Sequence, residues 1–176
     1  MEDELLPQVD EKGMVIGSNT REAFHKNPKI IHPVIQCWIF NSKGQILWQR
    51  RSFKKETSPG MWDISCGGHI RFGESVKTAL KRELAEELGI HNSKPVFVET
   101  YIARQEQQTE FVYLCYIVLD CNITDFVLQE EEVIQVQWID VWKAQLQYIS
   151  KEVEATDFVI SGVSRILQFL AAKQFT

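Results

Sequence analysis

The chain has 176 residues and a formal net charge of −5 at pH 7, with 44% hydrophobic and 24% charged residues. This length suits one compact domain with a single core, and the composition excludes a disordered or fibrous chain. The acidic balance argues against a general nucleic-acid-binding protein, because such proteins carry a basic face that neutralises phosphates. We expect one domain over residues 1–176.

The start of the chain, MEDELLPQVD, is acidic where a secretory signal would be basic and then apolar. No apolar run approaches the roughly 20 residues that span a bilayer. The four cysteines, Cys37, Cys66, Cys115 and Cys121, show no C-x-x-C spacing and are expected to be reduced. These features predict a cytoplasmic protein that does not associate with membranes.

Residues 1–30 are predicted to form an N-terminal extension that contains a β-hairpin. Apolar residues at Val9 and at Met14–Ile16 flank the turn signal DEKG, a pattern typical of two strands joined by a tight turn. Asn19 or Thr20 then provides a side-chain cap for a short helix. We expect this helix to follow the hairpin directly.

Two β-rich runs follow the extension, at residues 34–40 and 45–51, and the turn residues Asn41–Gly44 separate them. This spacing predicts a second β-hairpin. The next segment, WDIS at residues 62–65, alternates apolar and polar side chains as a half-buried strand does. We therefore expect a third strand there.

The clearest helix in the sequence is predicted over residues 75–88. Glu74 or Ser75 begins it, residues of high helix propensity follow, and Gly89 ends it. Strands rich in Val, Ile, Tyr and Phe are then predicted at residues 95–104, 111–119 and 133–139. A last helix begins at Thr156 or Asp157 and carries an apolar stripe, so the element order favours an α+β layered domain.

Three glutamates of the central helix, Glu83, Glu86 and Glu87, are separated by three and four positions. On a helix that advances 100° per residue they fall within a sector of about 100°, so three carboxylates face one way. Hard divalent cations prefer carboxylate oxygen, and the cluster therefore favours a Mg²⁺ or Mn²⁺ site. The alternative is a solvated acidic face that pairs with Lys81 and Arg82.

The residues around these glutamates resemble the Nudix box, GX5EX7REUXEEXGU, where U is an aliphatic residue. Residues 68–90 read GHIRFGESVKTALKRELAEELGI, and every specified position matches. The resemblance implies a Nudix fold, an α/β/α sandwich with a mixed β-sheet between helices, here with an N-terminal β-hairpin extension. It also implies a pyrophosphohydrolase that uses Mg²⁺ or Mn²⁺.

The resemblance assigns a role to each residue of the box. Glu83, Glu86 and Glu87 look like metal ligands and catalytic residues. Arg82 is expected to orient a carboxylate by a bidentate ion pair, with Glu74 supporting the same unit. For Gly68, the resemblance implies a backbone turn with a carbonyl close to the metal, where a side chain would block the approach.

Residues outside the box supply further candidates. In Nudix proteins the general base is a box glutamate or one from a distant loop, and the loop candidates here are Glu110, Glu130, Glu131 and Glu132. Arg50 and Arg51 are interpreted as contacts for substrate phosphates, with Glu132 as a further substrate contact. A solvated strand end is the alternative for the two arginines.

The segment WDISCGGH, together with His32, also resembles the isopentenyl diphosphate isomerase branch of the superfamily. In those isomerases three histidines and glutamates hold a metal, and His25, His32, His69 and Glu110 occupy comparable places in this chain. Whether these four residues form a second metal site is left open by the sequence.

Two departures weaken the isomerase resemblance. The isomerase catalytic cysteine immediately precedes the Gly-His pair, where this chain has Gly67, and Cys66 lies one residue too early. A strand would also point Cys66 to the opposite face. In addition, the box here has the hydrolytic form.

The expected function is therefore metal-dependent cleavage of a small-molecule substrate, a nucleoside diphosphate linked to another group. Two alternatives stay open: an isomerase-like enzyme that acts on an isoprenoid diphosphate, and a nucleotide-sensing module without turnover. Three repelling carboxylates argue against the sensor, which has no need of them. The family resemblance is also compatible with a homodimer.

Overall fold

The computed structural model describes residues 4–174; residues 1–3 of the predicted extension and residues 175–176 lie outside the described part. Within that part, nine strands form one branched sheet that four α-helices and a 3₁₀ helix accompany. The strands are β1 (Leu5–Val9), β2 (Val15–Thr20), β3 (Ile31–Phe40), β4 (Gln45–Arg51), β5 (Trp62–Asp63), β6 (Cys66–His69), β7 (Val96–Arg104), β8 (Thr109–Val118) and β9 (Val133–Asp140). The helices are α1 (Arg21–His25), α2 (Val76–Leu88), the 3₁₀ helix (Ile123–Asp125), α3 (Val141–Ile149) and α4 (Phe158–Gln174).

The N-terminal extension contains the predicted hairpin and short helix. Strands β1 and β2 pair antiparallel, and the Asp10 carboxylate stabilises their turn by accepting hydrogen bonds from the backbone N–H groups of Lys12 and Met14, both at 2.9 Å. Thr20 caps α1, since its hydroxyl accepts a hydrogen bond from the backbone N–H of Ala23 at 3.3 Å. Both predictions for this segment are confirmed.

Strand β3 is the centre of the sheet, and it is buried along its whole length. It pairs antiparallel with β6 on one side and parallel with β8 on the other, and β8 in turn pairs antiparallel with β7. A strand covered on both faces has a nearly continuous apolar sequence, as β3 has. The predicted mixed sheet is thus confirmed.

The predicted hairpin of residues 34–51 is correct at its turn and wrong beyond it. The two strands pair at Phe40 and Ile46, next to the turn, and then separate. Strand β4 pairs instead with β9 and β5. The strand predicted at residues 62–65 is also shorter than expected, because β5 ends at Asp63. The separation of β3 from β4 leaves room for a cavity between the two parts of the sheet.

The two faces of the sheet are covered by different helices, as an α/β/α sandwich requires. Alternate residues of β3 point to opposite faces, so Ile35 and Cys37 pack with α2, whereas Trp38 packs with α4. The apolar stripe of α4 supplies buried Val159, Val163 and Ile166. Across residues 4–174, every helix is too short or too polar to cross a membrane.

Candidate active site

Helix α2 begins and ends where the sequence predicts. The Ser75 hydroxyl caps it by accepting a hydrogen bond from the backbone N–H of Thr78 at 3.1 Å. Gly89 ends it with a φ of 71°, a left-handed conformation that suits glycine because it lacks a Cβ. Buried Leu84 and Leu88 fix the apolar side of the helix on the sheet. The helix therefore presents its acidic side to the neighbouring strand β6.

The acidic ridge, which we define as Glu83, Glu86 and Glu87, lines one cavity of about 550 Å³. The three side chains differ in burial. Glu83 and Glu87 are buried, whereas the Glu86 side chain is 44% exposed. The ridge thus has two members in the protein interior and one at the solvent boundary.

Arg82 ties the ridge to the segment that precedes α2. Its Nε and Nη2 donate to the two oxygens of Glu74 at 3.0 and 2.9 Å, which is the bidentate pair expected from the sequence. Its Nη1 donates to Glu83 at 2.6 Å and to Glu86 at 3.2 Å. Nη2 also donates to the backbone carbonyl of His69 at 2.9 Å. One guanidinium therefore orients two ridge carboxylates relative to β6.

Burial and mutual repulsion destabilise the charged forms of the two interior carboxyls. Burial raises the pKa of Glu83 to about 7, against the attraction of Arg82. Burial also raises the pKa of Glu87 to about 8, and repulsion from Glu83 and Glu132 adds to the effect. By contrast, the hydrogen bonds from Arg82 outweigh the burial of Glu74 and lower its pKa. A nearby cation would favour the ionised forms of Glu83 and Glu87.

Gly68 does not form the predicted turn, because it lies within β6 opposite Ile35 of β3. The need for glycine at this position has another cause. A Cβ on Gly68 would overlap the carboxylate of Glu83. The absence of a side chain allows Glu83 to approach the backbone of β6, so the expectation that a side chain here would cause a clash agrees with the structure.

The residues around the ridge fit a hard divalent cation. The side chains of the ridge offer only oxygen atoms as ligands, from three carboxylates on the cavity wall. In addition, Oε2 of Glu87 is buried and has no hydrogen-bond partner among residues 4–174. A buried carboxylate oxygen without a donor is costly, and a cation would compensate for the missing donor.

A histidine cluster lies beside the ridge, formed by His25 of α1, His32 of β3 and His69 of β6. One ring nitrogen of each lies within 4.8 Å of the others, and in the described part of the chain no other trio of metal-ligand side chains is as close. The Nε2 atoms of His25 and His69 are 3.1 Å apart. Both ring nitrogens of the fully buried His32 lack a hydrogen-bond partner within residues 4–174.

Burial keeps the three rings neutral, as metal ligation requires. It lowers the pKa of His32 to about 3 and also lowers the pKa values of His25 and His69. Glu110, in contrast, is not one of this group. It is in register with His32, but its carboxylate accepts a hydrogen bond from Gln108 at 3.0 Å. The structure therefore brings three of the four residues into one close group, and a role for Glu110 in metal binding stays a hypothesis.

The two arginines proposed as phosphate contacts have different surroundings. Arg51 lines the cavity, and its Nη1 donates to Asp63 at 2.9 Å. Arg50 lies outside the cavity lining, where its Nε donates to the carbonyl of Gly60 at 3.0 Å and its guanidinium lies over the Phe53 ring. Only Arg51 is therefore placed to contact a ligand in the cavity.

The sequence analysis missed three further cations on the cavity wall, Arg21, Lys55 and Arg71. The Nε of Arg21 is buried without a hydrogen-bond partner among the described residues. Lys55 forms an ion pair with Glu132. Arg21 lies one helical turn before His25, so the helical spacing of this pair was the available signal.

The candidate general bases divide into two groups. Glu110 and Glu132 line the cavity, whereas Glu130 and Glu131 do not. Glu131 forms a surface ion pair with Lys54 at 2.7 Å. Burial raises the pKa of Glu110 to about 8, and repulsion from Asp63 adds to the effect.

No thiol occupies the isomerase position within the described part of the cavity wall. Gly67 lines the cavity, whereas Cys66 is fully buried and packs under α2. Burial raises the pKa of the Cys66 thiol, and the charges of Glu87 and Glu83 raise it further. The thiol is therefore on the helix side of β6, as the alternation of a strand predicts.

Comparison with known proteins identifies the family. The NUDIX domain model matches residues 31–157. An uncharacterised Nudix hydrolase from Clostridium acetobutylicum is 31% identical over 151 residues, which cover 80% of this chain and 72% of that protein. This chain belongs to the Nudix family. It is an enzyme that hydrolyses acid anhydrides, a pyrophosphohydrolase, as the box predicts.

Two further similarities relate this Nudix protein to the isomerase branch and to a solved structure. It is 32% identical to an isopentenyl-diphosphate Delta-isomerase from Citrobacter koseri, over 74% of each chain. The predicted similarity to the isomerase branch is thus confirmed. The crystal structure of DR0079 from Deinococcus radiodurans superposes with a TM-score of 0.79 at 23% identity, and covers 92% of this chain and 98% of that one. The predicted α+β Nudix fold is confirmed.

Proposed function

We propose that this Nudix hydrolase cleaves the diphosphate linkage of a nucleoside diphosphate joined to another group, with Mg²⁺ or Mn²⁺ at the acidic ridge. The observation that carries the proposal is the buried Glu87 oxygen without a donor, on the wall of a cavity that five cationic side chains also line. Carboxylates suit the cation, and the cations of Arg21, Arg51 and Lys55 suit phosphate oxygens. One cavity therefore provides for both the cation and the phosphates.

Each group in the cavity has a distinct part in the proposed reaction. A divalent cation, when bound, neutralises diphosphate charge and lowers the pKa of the attacking water. Glu83, Glu86, Glu87 and the Gly68 carbonyl would hold it, and Arg82 keeps Glu83 in place. A carboxylate on the wall accepts the proton of the water; the candidates are the ridge glutamates, Glu110 and Glu132.

A screen of diphosphate compounds tests the proposal. Release of a mononucleotide from ADP-ribose, UDP-glucose and diadenosine polyphosphates is measured with Mg²⁺ or Mn²⁺, for wild type and Glu87→Gln. We expect wild-type turnover, and in the variant a kcat lower by about a thousandfold, because a charged group that holds the cation is lost. The exposed Glu152→Gln is the matched control and should retain full activity. Equal turnover by wild type and Glu87→Gln would refute the site assignment.

We further propose that the histidine cluster binds a separate divalent cation that prefers nitrogen ligands, such as Zn²⁺. The two unpaired ring nitrogens of buried His32 support this proposal, because a buried polar atom without a partner is costly. Neutral imidazoles suit Zn²⁺ better than Mg²⁺. The cavity would then combine an oxygen-ligand site with a nitrogen-ligand site.

An isoprenoid diphosphate isomerase is the second candidate function, favoured by the histidine cluster and by relatives that carry that name. The position of Cys66 on the helix side of β6 argues against it. Incubation with isopentenyl diphosphate, followed by product analysis, separates the two. We expect no isomer. Isomerisation by wild type that is lost in Cys66→Ala would establish the isomerase instead, and ligand binding without turnover would favour a sensor.

A further inference from the structure

Four residues of the cavity wall each have a buried polar atom that lacks a hydrogen-bond partner within residues 4–174. The atoms are Nε of Arg21, Oε1 of Gln49, Oε2 of Glu87 and Oε1 of Gln108. Arg21 is assigned above to phosphate binding, and Glu87 is assigned to cation binding. The other two are neutral amide carbonyls, which neither a phosphate nor a hard cation at the ridge accounts for.

Gln49 lies on β4, where that strand has separated from β3. The residue is 4% exposed and lines the cavity, with its backbone opposite Asp63 of β5 and Val136 of β9. A carbonyl oxygen buried without a donor destabilises the folded chain. A ligand that places an N–H or O–H group in the cavity would remove this penalty.

Gln108 precedes β8 and is oriented by its neighbours. Its Nε2 donates to Glu110 at 3.0 Å and to Gln105 at 3.4 Å. Because the carboxylate of Glu110 accepts from the amide nitrogen, the amide carbonyl is directed away from it. This carbonyl is the second acceptor of the cavity without a donor.

Gln36 of β3 adds a donor to the same wall. The hydroxyl of Tyr101 donates to Oε1 of Gln36 at 2.8 Å, which orients the amide group of this 3% exposed residue of the cavity wall. Arg165 of α4 lies over the Tyr101 ring, with its guanidinium carbon 4.0 Å from the ring centre, and pairs with Glu99. Tyr101 is thereby held from outside the cavity.

Most side chains of the cavity wall are polar. Apolar side chains line it at four positions, Val34, Ile35, Ile64 and Phe158. A hydrocarbon chain placed in it would cover the three amides and leave their polar atoms unpaired, a strong penalty against such a ligand. A group with hydroxyl or amino donors would pair with them instead.

We infer that Gln49 and Gln108 determine specificity by accepting hydrogen bonds from the organic part of the substrate. This inference rests on the proposed diphosphate hydrolysis and narrows its substrate class. The group carried by the diphosphate bears hydroxyl or amino donors, as a sugar or a nucleobase does. An isoprenyl chain is excluded from the class.

The test compares polar and apolar diphosphates with wild type, Gln49→Leu and Gln108→Leu. The probes are ADP-ribose, UDP-glucose and dimethylallyl diphosphate, with Mg²⁺ for turnover and Ca²⁺ for binding by calorimetry. The exposed Gln168→Leu, on α4, is the matched control. We expect wild type to prefer a nucleotide sugar over dimethylallyl diphosphate by at least a hundredfold in kcat/KM. Each cavity variant should raise KM for that sugar by at least tenfold and change kcat/KM for dimethylallyl diphosphate less than twofold.

Failure of this inference is distinct from failure of the proposed hydrolysis. The inference is wrong if wild type prefers dimethylallyl diphosphate as a substrate. It is also wrong if the cavity variants turn over nucleotide sugars as Gln168→Leu does. Neither result contradicts the proposed hydrolysis. If wild type turns over none of the probes, the proposed hydrolysis is wrong, and the calorimetric preference still decides the inference. Tighter wild-type binding of dimethylallyl diphosphate overturns it in that case.

Discussion

The acidic ridge and the histidine cluster border the same cavity, yet they are constructed in opposite ways. The ridge lies within five residues of one helix, consists of ionisable carboxyl groups, and is held by Arg82. The histidine cluster joins three separate elements, is neutral, and lacks any hydrogen bond to His32 in the described structure. Before a cation binds, the ridge is thus partly compensated by Arg82, whereas the cluster is not.

This difference determines what each region should bind. A carboxylate ridge favours hard cations that also contact phosphate oxygen, whereas neutral imidazoles favour softer cations such as Zn²⁺. The ridge should therefore control hydrolysis, and the cluster should control retention of a separate metal. The first two substitutions below each disturb one region and leave the other intact, and the third lies outside both.

Of these three substitutions, Gly68→Ala should have the largest effect, and it should act on the ridge alone. The added Cβ overlaps the Glu83 carboxylate and displaces it, so we expect Mg²⁺-dependent kcat/KM to fall by about a hundredfold, a typical effect of disturbing metal-ligand geometry. Gly17→Ala is the control, because a Cβ there meets no atom within 4 Å. Zn²⁺ binding should be unchanged in both variants. Near wild-type activity in Gly68→Ala would show that catalysis does not depend on the position that the Glu83 carboxylate has beside Gly68.

His32→Gln should disrupt the histidine cluster and leave the acidic ridge intact. We expect wild type to retain one Zn²⁺ per chain after dialysis and the variant to retain none, since a buried ligand is lost. Mg²⁺-dependent turnover should fall less than tenfold. The exposed His91→Gln is the control, and metal content is measured by atomic emission alongside a thermal unfolding curve. Equal zinc content in wild type and His32→Gln would show that the histidine cluster is not a metal site.

Glu110→Gln should have the smallest effect of the three substitutions, a pH-dependent change in stability. Because burial raises the pKa of Glu110 to about 8 in the folded state, above the roughly 4.3 of an unfolded chain, the folded protein loses stability as pH rises between these values. The loss is at most about 1.4 kcal/mol per pH unit. The variant should therefore gain Tm over wild type at pH 8 and gain little or nothing at pH 4.5.

The measurement is thermal unfolding in EDTA at pH 4.5 and pH 8, with the exposed Glu106→Gln as control. The control should show no such dependence. A Tm difference between Glu110→Gln and wild type that is the same at both pH values would mean that Glu110 is not held in its uncharged form by burial.

The ridge was predictable from the sequence because its determinants are local. The spacing of Glu83, Glu86 and Glu87, the Ser75 cap and the Gly89 stop all lie within one helix and its ends. Such signals depend on backbone geometry that every helix shares. The histidine cluster has no comparable signal, because its members lie up to 44 residues apart and were suggested only by family resemblance.

The parts that sequence reasoning missed depend on long-range pairing. Strand propensity does not reveal that β4 leaves β3 for β9, so the cavity and the amides of Gln49 and Gln108 could not be placed. Helix α3 was missed for another reason. It follows β9 directly, with no turn residues between the two elements, so the helix was not separated from the strand; Asp140, a residue type that favours helix starts, was the available signal.

The most direct test of the central claim is a crystal of the wild-type protein soaked with Mn²⁺ and a methylene-bridged analogue of ADP-ribose. Anomalous diffraction then locates the metal. We predict manganese between the carboxylates of Glu83 and Glu87 and the diphosphate of the analogue, with the Arg51 guanidinium near a phosphate oxygen. A ridge without manganese, and an analogue bound outside the cavity, would contradict the proposed function.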